Sequence, residues 1–267
     1  EMCIRDRTIT FTVSKGGVGK SLITANTAAS LAAKGQKVIL VEGDPNHPLQ
    51  LILNVNLSSN STLLEKVVKS DLKGDKALYQ TNIENLFLIP SGISLQGYFD
   101  LDPIKFARKI ADLKADFLFI DTPFPLGKAA FLSLGICDYF IPILTEDEFV
   151  LCVESAIDTI RLGKYSLKCT PLGFILNRIK TAEKFSKEFI KDLEDLLELS
   201  CIATIEENLT VSKSYGGPSS QKAFLAYDKV GSDFKAEIDK IAQVLLGKLP
   251  ATQKENAAKF LEGIIKH

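Results

Sequence analysis

The chain has 267 residues, 46% hydrophobic content and a formal net charge of −1. That is enough to bury one substantial core, the size fits one α/β domain as well as two small ones, and the charge provides no global field to recruit nucleic acid or anionic lipid. The five cysteines (Cys3, Cys137, Cys152, Cys169, Cys201) are odd in number and contain no Cys-x-x-Cys, so a zinc or iron–sulfur site has little support and single thiols in a reducing cytosol are expected. The longest apolar run, 131–144, is broken by Asp138 and too short to span a bilayer, and no secretory signal is visible.

Residues 1–7 are expected to lie outside the fold, because Met-Cys-Ile-Arg-Asp-Arg resembles translated adapter sequence. A strand is predicted from about Thr8, with Ile9, Phe11 and Val13 alternating on one face. Then comes Ser14-Lys15-Gly16-Gly17-Val18-Gly19-Lys20-Ser21, followed at 22–34 by an Ala-rich helix without Gly or Pro. A strand, a Gly-rich turn and a helix start make a phosphate cradle, since loop and helix N–H groups converge on one spot. Gly16, Gly17 and Gly19 let the backbone approach without a Cβ and permit positive φ. Lys20 is placed to reach the β- and γ-phosphates, and the Ser21 hydroxyl to sit on Mg²⁺.

The general P-loop has Gly where this chain has Ser14, and it lacks the second lysine, Lys15. This Lys-Gly-Gly-x-Gly-Lys-Ser loop resembles the deviant Walker A of the MinD/ParA family of ATPases. The resemblance implies nucleotide contacts from Lys15 through Leu22, with Lys15 crossing a dimer interface to the partner's phosphates.

The next strand, 38–41, completes a β–α–β unit and so implies a parallel sheet. It ends in Glu42-Gly43-Asp44-Pro45, and two carboxylates at i and i+2 of an extended segment point to the same side. This resembles the family's switch I. Asp44 then orients the attacking water, and Glu42 stands where the family has Asp. His47 receives no assignment. Short helices are read at 63–69 and from Asp102 to about residue 113, with a buried strand at 86–89. The apolar run 117–120 reads as a central parallel strand. Its end, Asp121-Thr122-Pro123, resembles Walker B and switch II, with Asp121 holding Mg²⁺ through a water and Gly127 following.

Further strands are read at 138–144, 172–176 and 201–205, and helices at 146–165, 182–199 and 233–246. Asn177-Arg178 closes one strand. In the family this Asn contacts adenine, and an amide offers that edge both a donor and an acceptor; a simple turn Asn is the alternative. Glu206-Glu207-Asn208 replaces the family's Pro-x-Asp near the base. Gly216-Gly217-Pro218 and Tyr227-Asp228 resemble the segment before the family's last helix. Residues 251–267 form an amphipathic tail, with Ala257, Phe260, Leu261, Ile264 and Ile265 as its stripe. It weakly resembles the family's membrane-targeting helix, and packing on the protein's own core or on a partner is favoured over that.

The resemblance therefore implies a three-layer α/β P-loop NTPase fold with a mostly parallel sheet, the ATPase domain covering 8–247. It implies an ATP/ADP- and Mg²⁺-dependent homodimer, stimulated by a partner protein, with Lys15, Lys20 and Asp44 as catalytic residues and Ser21 and Asp121 at the metal. The expected setting is cytoplasmic, in cell division or cargo partition, with membrane attachment through the tail as one route. DNA partition is less favoured: no helix-turn-helix is seen before the loop, and the Arg178, Lys180, Lys184, Lys187 cluster is equally a solvated face. A metal- or cluster-assembly ATPase is the alternative from another class, although its paired cysteines are missing.

Overall fold

The computed structural model describes residues 7–13, 15–123, 128–208, 232–247, 249 and 256–265. The readings placed on residues 1–6, Ser14, Gly127, 216–218 and 227–228 lie outside the described residues.

Among the described residues nine strands form one sheet in the order β3-β4-β2-β5-β1-β6-β8-β9, with β7 paired to β6 beside this path. They are β1 (Arg7–Val13), β2 (Val38–Glu42), β3 (Tyr79–Gln80), β4 (Leu86–Ile89), β5 (Phe117–Asp121), β6 (Tyr139–Thr145), β7 (Thr170–Pro171), β8 (Phe174–Ile179) and β9 (Cys201–Glu206). All pairings are parallel except β3 with β4. The two-residue antiparallel β3 closes one edge of the sheet, where a longer bare strand would invite pairing with another chain.

Period-2 alternation sorts the side chains into two faces. On one face Ile9, Phe11 and Val13 of β1 join Val38 and Leu40 of β2, Phe117 and Phe119 of β5, and Ile141 of β6. Helices α1 (Lys20–Ala33) and α9 (Ser232–Leu246) cover that face. The opposite face sends Ile39, Val41, Leu118 and Ile120 into a second cluster with α5 (Pro103–Ala111), while Leu144, Phe174 and Leu176 meet α7 (Phe149–Arg161) and α8 (Lys187–Leu197). The short helices α2 (Pro48–Ile52), α3 (Leu64–Val68), α4 (Leu95–Asp100) and α6 (Lys128–Leu132) fill the corners. This is the expected three-layer α/β P-loop fold.

Small residues let α1 lie buried between the sheet and α9. Ala25, Ala28, Ala29 and Ala32 are in the core, and two of its buried hydroxyls bond locally or across: Thr24 Oγ1 donates to the Lys20 carbonyl at 2.9 Å and Ser30 Oγ to Asp239 Oδ1 at 2.7 Å. Asp102 caps α5, accepting from the amides of Ile104 and Lys105, with Pro103 in the first turn as read from the sequence.

Several boundaries differ from the sequence reading. β1 begins at Arg7, whose guanidinium lies 5.0 Å from the Phe117 ring centroid. The helix expected over 146–165 starts only at Phe149 and passes into a π-helical turn, Leu162–Ser166. Glu146 is unavailable to the first turn because its carboxylate accepts from the Lys180 and Thr181 amides at 2.6 and 2.9 Å. The 182–199 helix is a 3₁₀ turn, Ala182–Phe185, followed by α8, whose start is fixed by Ser186 accepting from the Phe189 amide. The 172–176 strand is displaced: Gly173 has φ +148 and β8 runs from Phe174 to Ile179.

The tail contributes α10 (Ala257–Ile265), which docks beside α5. Leu261 is fully buried over Gly135, and Glu262 pairs with Arg108. Burial of a leucine side chain is worth about 1.5–3 kcal/mol, so this face is spent on the protein's own body. Among the described residues no helix is long and apolar enough to cross a membrane.

Candidate active site

The chain leaves β1 for β2 and β5 on one side and returns to β6 and β8 on the other, which opens a crevice beyond the carboxyl ends of these strands. A cleft of about 600 Å³ occupies it. The loop from Lys15 to Leu22 forms its floor, Asp44, Asn46 and Pro123 one wall, and Asn177, Arg178 and Glu207 the other.

The loop's geometry follows from its glycines. Gly17 and Gly19 take φ +77 and +91, conformations that L side chains rarely adopt, and Gly19 immediately precedes α1. Gly16 is not among the residues with positive φ. Its use is space: a Cβ at Gly16 or Gly17 would meet nothing within 4 Å, whereas one at Gly19 would strike Asn177 Nδ2 at 2.9 Å. That amide donates to the Val18 carbonyl at 2.7 Å, and Arg178 Nη1 donates to the Gly17 carbonyl at 3.3 Å. Asn177 and Arg178, expected at the base, line the cleft and also bond to carbonyls of the loop. They sit within β8 at a bulge, with Arg178 at φ +57.

Beneath the loop three predicted residues meet. Lys20 Nζ pairs with Asp121 Oδ1, and Ser21 Oγ donates to Asp121 Oδ2 at 2.6 Å. Asp121 is 1% exposed and ends β5 beside β2. An ammonium, a hydroxyl and a carboxylate at a helix start fit a phosphate chain with Mg²⁺. The oxygen donors suit that hard cation, which needs few protein ligands because it keeps its waters. Among the described residues no group of three His, Cys, Asp or Glu could hold a metal ion.

Lys15 lies at the mouth of the cleft. Its Nζ donates to Glu148 Oε2 at 3.0 Å and to the Asp147 carbonyl at 3.5 Å. Glu148 adopts φ +54 as the cap of α7. Around it runs an alternating charge network that sequence reasoning missed. Arg178 is held by Glu207 at 2.9 Å, Lys180 by Asp147 at 2.8 Å and Lys184 by Glu146 at 3.3 Å. The amides of Lys180 and Thr181 draw the Glu146 carboxyl down to about 2. The basic cluster is thus largely neutralised by its own neighbours. No local motif signals these acids, because 133 positions separate Lys15 from Glu148.

Asp44 and Glu42 do not share a side. Asp44 lines the cleft, its Oδ1 accepting from the Asn46 amide at 2.8 Å and from Asn46 Nδ2 at 2.9 Å. Glu42 is fully buried and accepts from the Gln50 and Ser91 amides at 3.0 and 3.2 Å. The strand ends at Glu42, so strand alternation no longer fixes the side of Asp44. Burial raises the Glu42 carboxyl from 4.5 to about 7, against the pull of those two amides, with the charge of Asp121 adding to the rise. A raised acid binds its proton more tightly in the folded state. Its contribution is full below pH 4.5 and is lost as the pH rises through 7. The change corresponds to about 3 kcal/mol. Glu42→Gln should therefore flatten the fall in stability over this window, as read from urea midpoints against pH.

A Gly-rich strand–helix turn over an Asp-tipped central strand defines a P-loop nucleotide-binding protein. The AAA domain family model AAA_31 matches residues 6–168. An uncharacterised ATP-binding protein of Methanocaldococcus jannaschii is 37% identical over 265 residues, covering 98% of this chain and 96% of that protein. The chromosome-partitioning ATPase Soj of Treponema pallidum is 30% identical over 204 residues, covering 70% and 77%. Among solved structures, the cell division ATPase MinD of Pyrococcus furiosus superposes with a TM-score of 0.75 at 25% identity, covering 90% of this chain and 98% of that one. MinD of Pyrococcus horikoshii, complexed with Mg-ADP, gives a TM-score of 0.74 at 25% identity, covering 90% and 96%. The chain belongs to the MinD/ParA family of P-loop ATPases.

Proposed function

We propose that the protein hydrolyses ATP and uses the bound nucleotide to switch between a monomer and a face-to-face dimer, in the spatial organisation of cell division or of a partitioned cargo. The observation that carries this reading is the convergence of Lys20, Ser21 and Asp121 under the loop, with a second cation, Lys15, at the cleft mouth on an exposed carboxylate.

Phosphoryl transfer asks a protein for positioning and charge compensation more than for covalent chemistry. Lys20 would exchange Asp121 for phosphate oxygens. Mg²⁺, held by Ser21 and through water by Asp121, would supply the bridging positive charge. Asp44 would orient the attacking water, and to do so must give up part of its turn with Asn46. Lys15 would leave Glu148 to reach the partner's phosphates. Asn177 and Arg178 hold the loop in register, and the cleft end at Ile205, Glu207, Asn208 and Phe234 offers room for a base.

The docked α10 favours an intramolecular role for the tail over membrane anchorage. The neutralised Arg178–Lys184 cluster gives nonspecific DNA little to hold. Phosphate release from ATP–Mg²⁺ tests the hydrolytic part. Wild type should turn over slowly, and Asp44→Ala should retain ATP affinity and lose turnover by about 100-fold or more, the lower end of the range for a group aiding proton transfer. Wild-type protein that binds ATP and releases no phosphate would contradict it.

A further inference from the structure

Behind the turn that carries Asp44, an imidazole stops just short of a partner. The Glu42 carboxylate is fully buried at the end of β2. Its Oε1 accepts from the Gln50 amide of α2 at 3.0 Å and its Oε2 from the Ser91 amide, beyond β4, at 3.2 Å. His47 faces the second of these oxygens. Its Nδ1 lies 3.6 Å from Glu42 Oε2, close enough for an ion pair and too far for a hydrogen bond. Among the described residues this Nδ1 is one of the few buried side-chain polar atoms without a hydrogen-bond partner, and native proteins keep few such atoms.

His47 and Asp44 are the two ends of one turn. The His47 amide donates to the Asp44 carbonyl at 3.2 Å, Pro45 fixes φ at the second position, and Asp44 Oδ1 accepts from the Asn46 amide at 2.8 Å. Asn46 and Pro48 line the cleft, while His47 between them presents its Nδ1 to Glu42. His47 has φ +53 and ψ 43 directly before Pro48. A left-handed backbone is uncommon outside glycine, and a following proline favours extended backbone instead. Strained positions of this kind persist where their surroundings hold them, and they cluster at active sites and switch segments. Braced at all four residues, the turn moves as a unit. A shift that carries His47 toward Glu42 therefore also moves the Asp44 carboxylate.

We propose that His47 and Glu42 form a latch that seats the Asp44 turn during the ATPase reaction. When nucleotide draws Asp44 off Asn46, the turn settles by about 0.7 Å, the gap between 3.6 Å and an ordinary hydrogen bond. His47 Nδ1 then bonds Glu42 Oε2, and a proton on either group makes that bond. His47 is thus a positioning residue that acts through the backbone of the turn. The inference rests on the reading of Asp44 as the residue that orients the attacking water. Glu42 is tied to α2 and to the segment after β4, so it gives the turn a fixed stop, and alignment lost at such a site is costly in rate.

His47→Gly keeps the left-handed backbone accessible and removes the imidazole. Turnover should fall about 10-fold or more, the scale of one hydrogen bond to a charged group, with KM for ATP within about 2-fold. His47→Asn tolerates the same backbone and offers an amide near the Nδ1 position, so it should recover most of the loss. In the Asp44→Ala background His47→Gly should have no further effect on turnover, which a merely structural imidazole would not predict. A second readout is independent of hydrolysis. The chain has two histidines, His47 and His267, so in ¹⁵N-histidine-labelled protein the His47 resonances are assigned by their loss in His47→Gly. With Mg²⁺ and the β,γ-imido analogue of ATP, the His47 Nδ1 resonance should shift in wild type and stay still in Asp44→Ala. Unchanged turnover in His47→Gly overturns the proposal, as does an Nδ1 resonance that stays still with the analogue bound or moves equally in Asp44→Ala. Absence of wild-type hydrolysis would instead strike the ATPase reading, and the resonance would still judge the latch.

Discussion

Lys20→Ala is expected to lose ATP and ADP affinity by at least about 100-fold, because charge-assisted hydrogen bonds to phosphate oxygens are worth about 1.5–3 kcal/mol each and this side chain is placed to make more than one. The substitution also strands a carboxylate. Asp121 is buried and would keep only the Ser21 hydroxyl, and removing one partner of a buried pair costs about 3–5 kcal/mol. The variant should therefore melt earlier as well as bind worse. The two effects are separable. Adding Asp121→Asn to Lys20→Met removes the unpaired charge and should recover much of the stability, while nucleotide affinity stays lost. Calorimetric titration with ADP beside thermal melts reads both. Normal affinity in Lys20→Ala would remove the phosphate role from the loop.

Lys15→Ala should behave in the opposite way. Its pairing with Glu148 is exposed on both sides and worth at most about 1 kcal/mol, so stability should scarcely change. ATP affinity of the monomer should stay within about 3-fold. Turnover should fall by about 100-fold or more, because a cation supplied across an interface acts on the transition state more than on the ground state. Glu148→Gln supplies the complementary case. With its partner neutralised, Lys15 is freer to leave, and dimerisation should set in at lower protein concentration. If Lys15→Ala dimerises and turns over normally, the exchange of Glu148 for a partner's phosphate is wrong.

What the sequence made legible was what is local. The loop could be read because strand, glycine turn and helix start are contiguous, and Asp121 because it ends an uninterrupted apolar run. Fold class followed from the β–α–β succession. The partners were not legible, since Glu148, Asp147 and Glu207 reach Lys15, Lys180 and Arg178 only through the strand order. The resemblance pointed to Asn177 at the base; its bond to the Val18 carbonyl, set by register with β6 and β9, was not legible. Glu42 and Asp44 were placed together by a strand rule that stops applying where the strand ends at Glu42. The start of α7 was read three residues early, because nothing local shows that the Glu146 carboxylate is committed to the 180–181 amides. His47 received no assignment, because a histidine in a turn looks solvated until its Nδ1 is found buried against Glu42.

The account turns on nucleotide-dependent pairing, and light scattering behind size-exclusion chromatography on the Asp44→Ala protein addresses it most directly. With ATP–Mg²⁺ the mass should be twice the 29.3 kDa of one chain, and with ADP it should return to a single chain. A single-chain mass under both conditions, with ATP shown to be bound, would contradict the switch and leave a P-loop ATPase that works without a partner copy.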